Sequence, residues 1–167
     1  MPNGVIRPSM DQMRESVFAC LGDLSGRSFL DLFSGSGIIA LEAASRGAAP
    51  VDAVENDPLK RKTLLQNVAI SPARIHCRFM SAELYVQRAK SMYDLIFLDP
   101  PFPYQFKWEL LGRIAASALV SSESIIMLHR PFKDNKRESV TNLLDNTDSR
   151  EYGRSVVDFF RVKFREE

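Results

Sequence analysis

The segment Ser28-Phe-Leu-Asp-Leu-Phe-Ser-Gly-Ser-Gly-Ile-Ile-Ala-Leu-Glu42 changes period halfway along its length. Ser28 to Phe33 reads as a strand, and Ile38 to Arg46 as a helix stopped by Gly47. The two glycines between them let the chain turn tightly and approach a ligand with no Cβ in the way. A strand that enters a helix through such a turn is the opening unit of a parallel α/β sheet. Taken alone, Gly-x-Gly is most simply a strand-to-helix turn, so the decision falls to the rest of the chain.

Working outward, the alternation continues. Ser9-Met-Asp-Gln12 has a capping-box pattern, and Met13, Val17, Cys20, Leu21 and Leu24 follow at helical spacing, which predicts a helix over about residues 10–22. Beyond Gly47, strands are expected at 51–55, 75–80, 94–98 and 124–128. Helices are expected from Pro58 to about Ala69, over 82–90 and over 108–119. Residues 134–144 read as a further helix, and Tyr152 with Val156–Phe164 as a closing pair of strands. With no linker or repeat, this predicts one domain over residues 1–167, built as a doubly wound, mostly parallel α/β sheet with helices on both faces. Such sheets bind ligands beyond the carboxyl ends of their strands, where strand order reverses. Asp99 and the loop after Phe33 are therefore expected to share a crevice.

Composition narrows the function classes. The 167 residues are 45% hydrophobic and 26% charged, with a net charge of +1, so no strong overall field advertises a polyanion partner. The apolar runs are strand-length, too short to span a bilayer, and Met1–Ile6 is too short and polar for a signal peptide, so a cytoplasmic protein without membrane contact is expected. Cys20 and Cys77 are read as buried free thiols. Neither they nor His76 and His129 show metal-ligand spacing, so no metal is expected.

Glu55 ends the second strand 20 residues beyond Gly35, where a carboxylate can accept both hydrogens of a ribose diol. Together with the glycine turn it favours an adenosine cofactor. Gly35-x-Gly37-x-x-Ala40 also fits a dinucleotide pattern, which keeps an NAD-dependent oxidoreductase in play. Two features favour S-adenosylmethionine instead. The chain lacks room for a second mononucleotide half, and Asp31 ahead of the turn suits an ammonium group better than a pyrophosphate.

The stretch Asp94-Leu-Ile-Phe-Leu-Asp-Pro-Pro-Phe-Pro-Tyr104 ends a buried strand on an acid, two prolines and an aromatic ring. The prolines fix φ and remove two N–H donors, leaving carbonyls that only accept. A carboxylate at Asp99 beside the accepting carbonyl of Pro100 suits an exocyclic amine, and Phe102 offers a face on which a base can stack.

The chain resembles the bacterial 16S ribosomal RNA guanine-N2 methyltransferases, a branch of the class I S-adenosylmethionine-dependent enzymes. The likeness rests on Arg7-Pro-Ser-Met-Asp-Gln-Met-Arg-Glu-Ser-Val-Phe18, on Asp31-Leu-Phe-Ser-Gly-Ser-Gly37 with Glu42-Ala-Ala-Ser-Arg-Gly-Ala48, and on Val54-Glu-Asn-Asp57 with Asn67. It continues through Asp99-Pro-Pro-Phe102 to Tyr152-Gly153. It implies a seven-stranded Rossmann-like methyltransferase sheet with an antiparallel last-but-one strand, and a monomer acting on a guanine of 16S ribosomal RNA within a small subunit or an assembly intermediate. It further implies cofactor contacts from Asp31, Phe33, Ser34, Gly35, Gly37, Glu55, Asn56, Ala82 and Asp99. Catalysis falls to Asp99, Pro100, Pro101 and Phe102, and RNA contact to Arg7, Arg14 and Phe102. Three departures stand out. Six residues precede Arg7 where the family carries a hairpin-like segment, Ser81-Ala82 replaces Asp-Ala, and His129-Arg130 follows the fifth strand where an acid is common.

Other residues read more plainly. His129 is assigned no catalytic role, and Lys60-Arg-Lys62 is a solvated face. Arg130, Lys133, Lys136 and Arg137 are candidates for an RNA-facing patch. Trp108 and Phe29, Phe33, Phe97, Phe159, Phe160 and Phe164 are packing residues. Amino methylation of adenine N6 or of a protein amide, and a non-catalytic RNA-binding module, remain competing readings.

Overall fold

The computed structural model describes residues 8–163. Seven strands form one sheet: β1 (Phe29–Asp31), β2 (Val51–Val54), β3 (Ile75–Arg78), β4 (Leu95–Leu98), β5 (Ile125–Pro131), β6 (Leu144–Tyr152) and β7 (Ser155–Val162), in the order β3-β2-β1-β4-β5-β7-β6. The first five strands are parallel; β7 runs antiparallel to both β5 and β6. The antiparallel strand is thus last in the chain and last but one across the sheet.

Alternation along each strand divides the core into two layers. Phe29, Leu95 and Phe97 face α1 (Pro8–Leu21), α2 (Ile38–Ser45) and α3 (Arg61–Val68) through Val17, Phe18, Ala43 and Leu64. Leu30, Ile96 and Leu98 face α4 (Ala82–Arg88) and α5 (Lys107–Ala115) through Val86, Leu110 and Leu111. Both sheet faces are covered, which explains why the central strands read as near-continuous apolar runs. At its start β4 is stitched to β1: the Asp94 carboxylate accepts from the Ser28 N–H at 2.9 Å, and the Asp94 N–H donates to Ser28 Oγ at 2.8 Å. Among the described residues, no helix is long and apolar enough to cross a membrane.

Three expectations are corrected. Helix α1 already includes Pro8, the first described residue, ahead of the expected start near residue 10. Residues 134–144 do not form a helix; a short 3-10 turn spans Arg137–Val140, and Leu144 already opens β6. The hydroxyls of Ser139 and Thr141 bond the carbonyls of Lys136 and Glu138 at 2.6 and 3.0 Å, a local alternative to helical bonding. Cys20 is exposed rather than buried, and Cys77 is half-buried. Phe164 lies outside the described residues.

Candidate active site

Strand order reverses between β1 and β4, which lie side by side with Asp31 opposite Phe97. The chains leaving their carboxyl ends turn to opposite faces of the sheet, and a cleft of about 810 Å³ opens between them. Phe33, Ser34, Gly35, Glu55, Asn56, Ala82, Asp99, Pro100, Pro101 and Phe102 all line it, so the glycine loop and the Asp-Pro-Pro-Phe turn share one crevice.

Glu55 organises the floor. Its carboxylate accepts hydrogen bonds from the Gly35 N–H at 2.7 Å and the Asp57 N–H at 2.9 Å, so it ties the glycine loop to the segment after β2. Each oxygen keeps a lone pair directed elsewhere. Gly37 caps α2 at φ 86°, and a Cβ there would stand 2.6 Å from Leu64 Cδ1. Gly37 does not line the cleft; it lets α2 and α3 pack closely.

Asp31 lies beneath the cleft, 1% exposed. Ser34 Oγ donates to its Oδ2 at 2.9 Å, whereas Oδ1 is buried with no hydrogen-bond partner among the described residues. Burial pushes the carboxyl up to about 7. Asp99 and Glu55 add to the rise, while Ser34 and the Ala40 N–H oppose it, the latter from outside hydrogen-bond geometry. An orphaned carboxylate oxygen under a glycine turn suits a donor-bearing ligand such as an ammonium group.

The other wall is built around Asp99. Its Oδ1 lies 2.9 Å from His129 Nδ1, and His129 Nε2 lies 2.8 Å from Ser155 Oγ. Phe102, 47% exposed, meets the His129 ring edge-on at 5.5 Å between centroids. The sequence assigns His129 no catalytic role, and its polar partners lie 30 and 26 residues away, where no local pattern signals them. The sequence is also silent on Met10 and Tyr104, which line the cleft; Tyr104 packs on Phe33 at 5.4 Å and its hydroxyl bonds Glu83. Ser81 caps α4 by accepting from the Leu84 N–H at 3.1 Å, so it takes over the helix-capping role open to an acid at that position.

The RNA-contact candidates divide. Arg7 lies outside the described residues. Arg14 does not line the cleft; it pairs with Asp11 at 3.3 Å and Glu42 at 3.8 Å. The expected basic patch loses Arg130, which is 2% exposed, pairs with the fully buried Asp158 at 2.6 Å and donates to the carbonyls of Pro131, Phe132 and Asp134. Arg137 bonds Asn146 and Ser149, which leaves Lys133 and Lys136 exposed. Of the expected solvated face, Lys60 borders the cleft and Arg61 stacks over Phe79 at 4.3 Å. Trp108 packs as expected and donates to Asp134 at 3.0 Å.

A family model described as "Conserved hypothetical protein 95" matches residues 1–161. The chain is 28% identical over 123 residues to the ribosomal RNA small subunit methyltransferase D of Escherichia coli K12, covering 72% of this chain. It spans 62% of the length of that relative. A shorter match, 40% identical over 82 residues, covers 47% of this chain and 34% of the tRNA1(Val) (adenine(37)-N6)-methyltransferase of Erwinia tasmaniensis. Among solved structures, a conserved hypothetical protein of Streptococcus pyogenes superposes with a TM-score of 0.82 at 27% identity, covering 90% of this chain and 95% of that one. The architecture is the Rossmann-like methyltransferase sheet expected from the sequence.

Proposed function

The chain belongs to the family described as "Conserved hypothetical protein 95", and on that premise we propose that it transfers a methyl group from S-adenosylmethionine to the exocyclic N2 amine of a guanine in small-subunit ribosomal RNA. The observation that carries this reading is the pairing, across one cleft, of the Asp99-Pro-Pro-Phe102 turn with the Gly35 loop and Glu55.

The residues present fit the cofactor. The orphaned Oδ1 of Asp31 suits an amino-acid ammonium, Glu55 a ribose diol, and the walls at half-buried Phe33 and buried Ala82 an adenine. When bound, S-adenosylmethionine supplies an electrophilic methyl carbon on a positively charged sulfur. The protein's part is to present the nucleophile. The amine lone pair of guanine is delocalised into the ring, and hydrogen bonds accepted by Asp99 and the Pro100 carbonyl localise it and aim it. Phe102 stacks the base so that the amine cannot swing away. Positioning of this kind can supply on the order of 7 kcal/mol of barrier reduction.

The relative from E. coli carries a ribosomal RNA name, which supports that substrate class here. A net charge of +1, with Lys60 the one lysine or arginine lining the cleft among the described residues, favours RNA already folded by ribosomal proteins, since few phosphate contacts give weak binding to naked RNA. Adenine N6 is the second reading, favoured by the shorter tRNA adenine methyltransferase match. Mass spectrometry of nucleosides from RNA treated with the protein and S-adenosylmethionine separates the two: N2-methylguanosine is expected, and N6-methyladenosine would overturn the guanine reading. Assayed side by side, small-subunit particles should be methylated faster than protein-free RNA.

A further inference from the structure

The contacts behind Asp99 join three strands that are far apart in the chain. Asp99 follows β4, His129 stands on β5 and Ser155 opens β7. His129 is 1% exposed and Ser155 8%, so water does not compete for their polar atoms.

In its uncharged form a histidine ring carries one N–H, and the groups facing its two nitrogens decide which one holds it. An ionised Asp99 carboxylate can only accept. At 2.9 Å it therefore selects the proton on Nδ1, because a bare Nδ1 would set lone pair against lone pair. Nε2 then needs a donor, and the Ser155 hydroxyl stands 2.8 Å away. That hydroxyl also stands 3.1 Å from the Tyr152 carbonyl, so its one proton has two acceptors in reach, and with the ring proton on Nδ1 the Nε2 lone pair is the nearer of them.

We propose that His129 and Ser155 form a positioning pair for Asp99. Ser155 donates to Nε2 and holds the ring in the Nδ1–H tautomer; the Nδ1–H in turn fixes Asp99 Oδ1, leaving Oδ2 as the open acceptor for the target amine. The same ring packs edge-on against Phe102, so it steadies both the carboxylate and the stacking surface. This role rests on the amine-methylating reading of the cleft. His129 and Ser155 act through Asp99 and are positioning rather than catalytic residues.

Nitrogen-15 NMR of labelled histidine, on the protein without cofactor or RNA, reads the tautomer directly. A ring protonated only at Nδ1 is expected in the parent, with that single tautomer lost in Ser155→Ala. In methyl-transfer assays, Ser155→Ala and His129→Leu should lower kcat by about 10- to 100-fold, the cost seen when a partner that orients a metal-ligating side chain is removed, and the scale expected for an oriented carboxylate. Cofactor affinity should not change. His129→Asn places an amide nitrogen where Nδ1 stood and should restore most of the rate. An Nε2–H ring or an imidazolium in the parent would overturn the proposal, as would His129→Leu turning over like the parent or His129→Asn doing no better than His129→Leu. Failure of the parent to bind S-adenosylmethionine would instead sink the methyltransferase reading, and the tautomer would still decide the pair on its own.

Discussion

The carboxylate of Glu55 accepts the backbone N–H of Gly35 at 2.7 Å, so a residue placed to hold a ligand also holds the loop that the ligand would lie on. This double duty changes what its removal does. Glu55→Ala should weaken S-adenosylmethionine binding by about 1.5–3 kcal/mol, the range for a lost charged acceptor. It should also lower thermal stability, because two N–H groups lose their partner. Calorimetric titration beside a melting curve checks both. An unchanged dissociation constant would remove Glu55 from the ribose site.

Asp31 predicts a pH dependence. Its folded-state carboxyl is pushed up to about 7 from an ordinary 3.8. Below about pH 4 it is protonated in both folded and unfolded chains. Between the two values the unfolded chain ionises first, so stability falls as pH rises and levels off above about 7. At roughly 1.4 kcal/mol per unit, the loss reaches about 4 kcal/mol. Asp31→Asn keeps an acceptor for Ser34 and has nothing to ionise. In cofactor-free protein it should therefore gain stability over the parent as pH rises from 4 to 8, while its cofactor affinity falls. A stability difference that is flat across that range would show that Asp31 is ionised throughout.

Phe102 is half-exposed at the mouth of the cleft, its ring tilted 64° to that of His129. Phe102→Ala should leave cofactor affinity intact and lower methyl transfer by the equivalent of about 1–3 kcal/mol, the worth of one base stacked on an aromatic ring. Parallel loss of cofactor binding and turnover would mean that the ring supports the fold instead.

Asp99→Asn tests the choice of base. Guanine presents N1–H and N2–H₂ as adjacent donors, whereas adenine sets an acceptor beside its amine. A carboxylate suits the former. Oδ1 already faces His129, so on the proposed reading the amine would fall to Oδ2 and guanine N1–H would share Oδ1 with the imidazole. Replacing the charge with an amide should retain the fold and cofactor binding. Guanine N2 methylation should fall by about 1.5–3 kcal/mol, roughly 10- to 150-fold in rate. Equal rates for the two proteins would show that charge at this position does not serve the reaction.

The sequence by itself determined the order of strands and helices over most of the chain, the glycine turn, and the acid–proline–proline–aromatic exit from β4. These are local properties: periodicity, φ preference and missing donors act within a few residues, so they can be read without knowing neighbours in space. Of strand β6 only the Tyr152 end was legible, because the strand is polar and exposed along nearly its whole length, with only Leu144 and Tyr152 buried, so no alternation marks the rest. The Asp99–His129–Ser155 contacts and the burial of Arg130 against Asp158 were decided only in the tertiary structure. Both depend on the antiparallel register of β5 with β7, which sets His129 opposite Val157 and Pro131 opposite Ser155. Register is a property of two strands together, fixed by packing on both faces of the sheet, and neither strand's residues carry it alone.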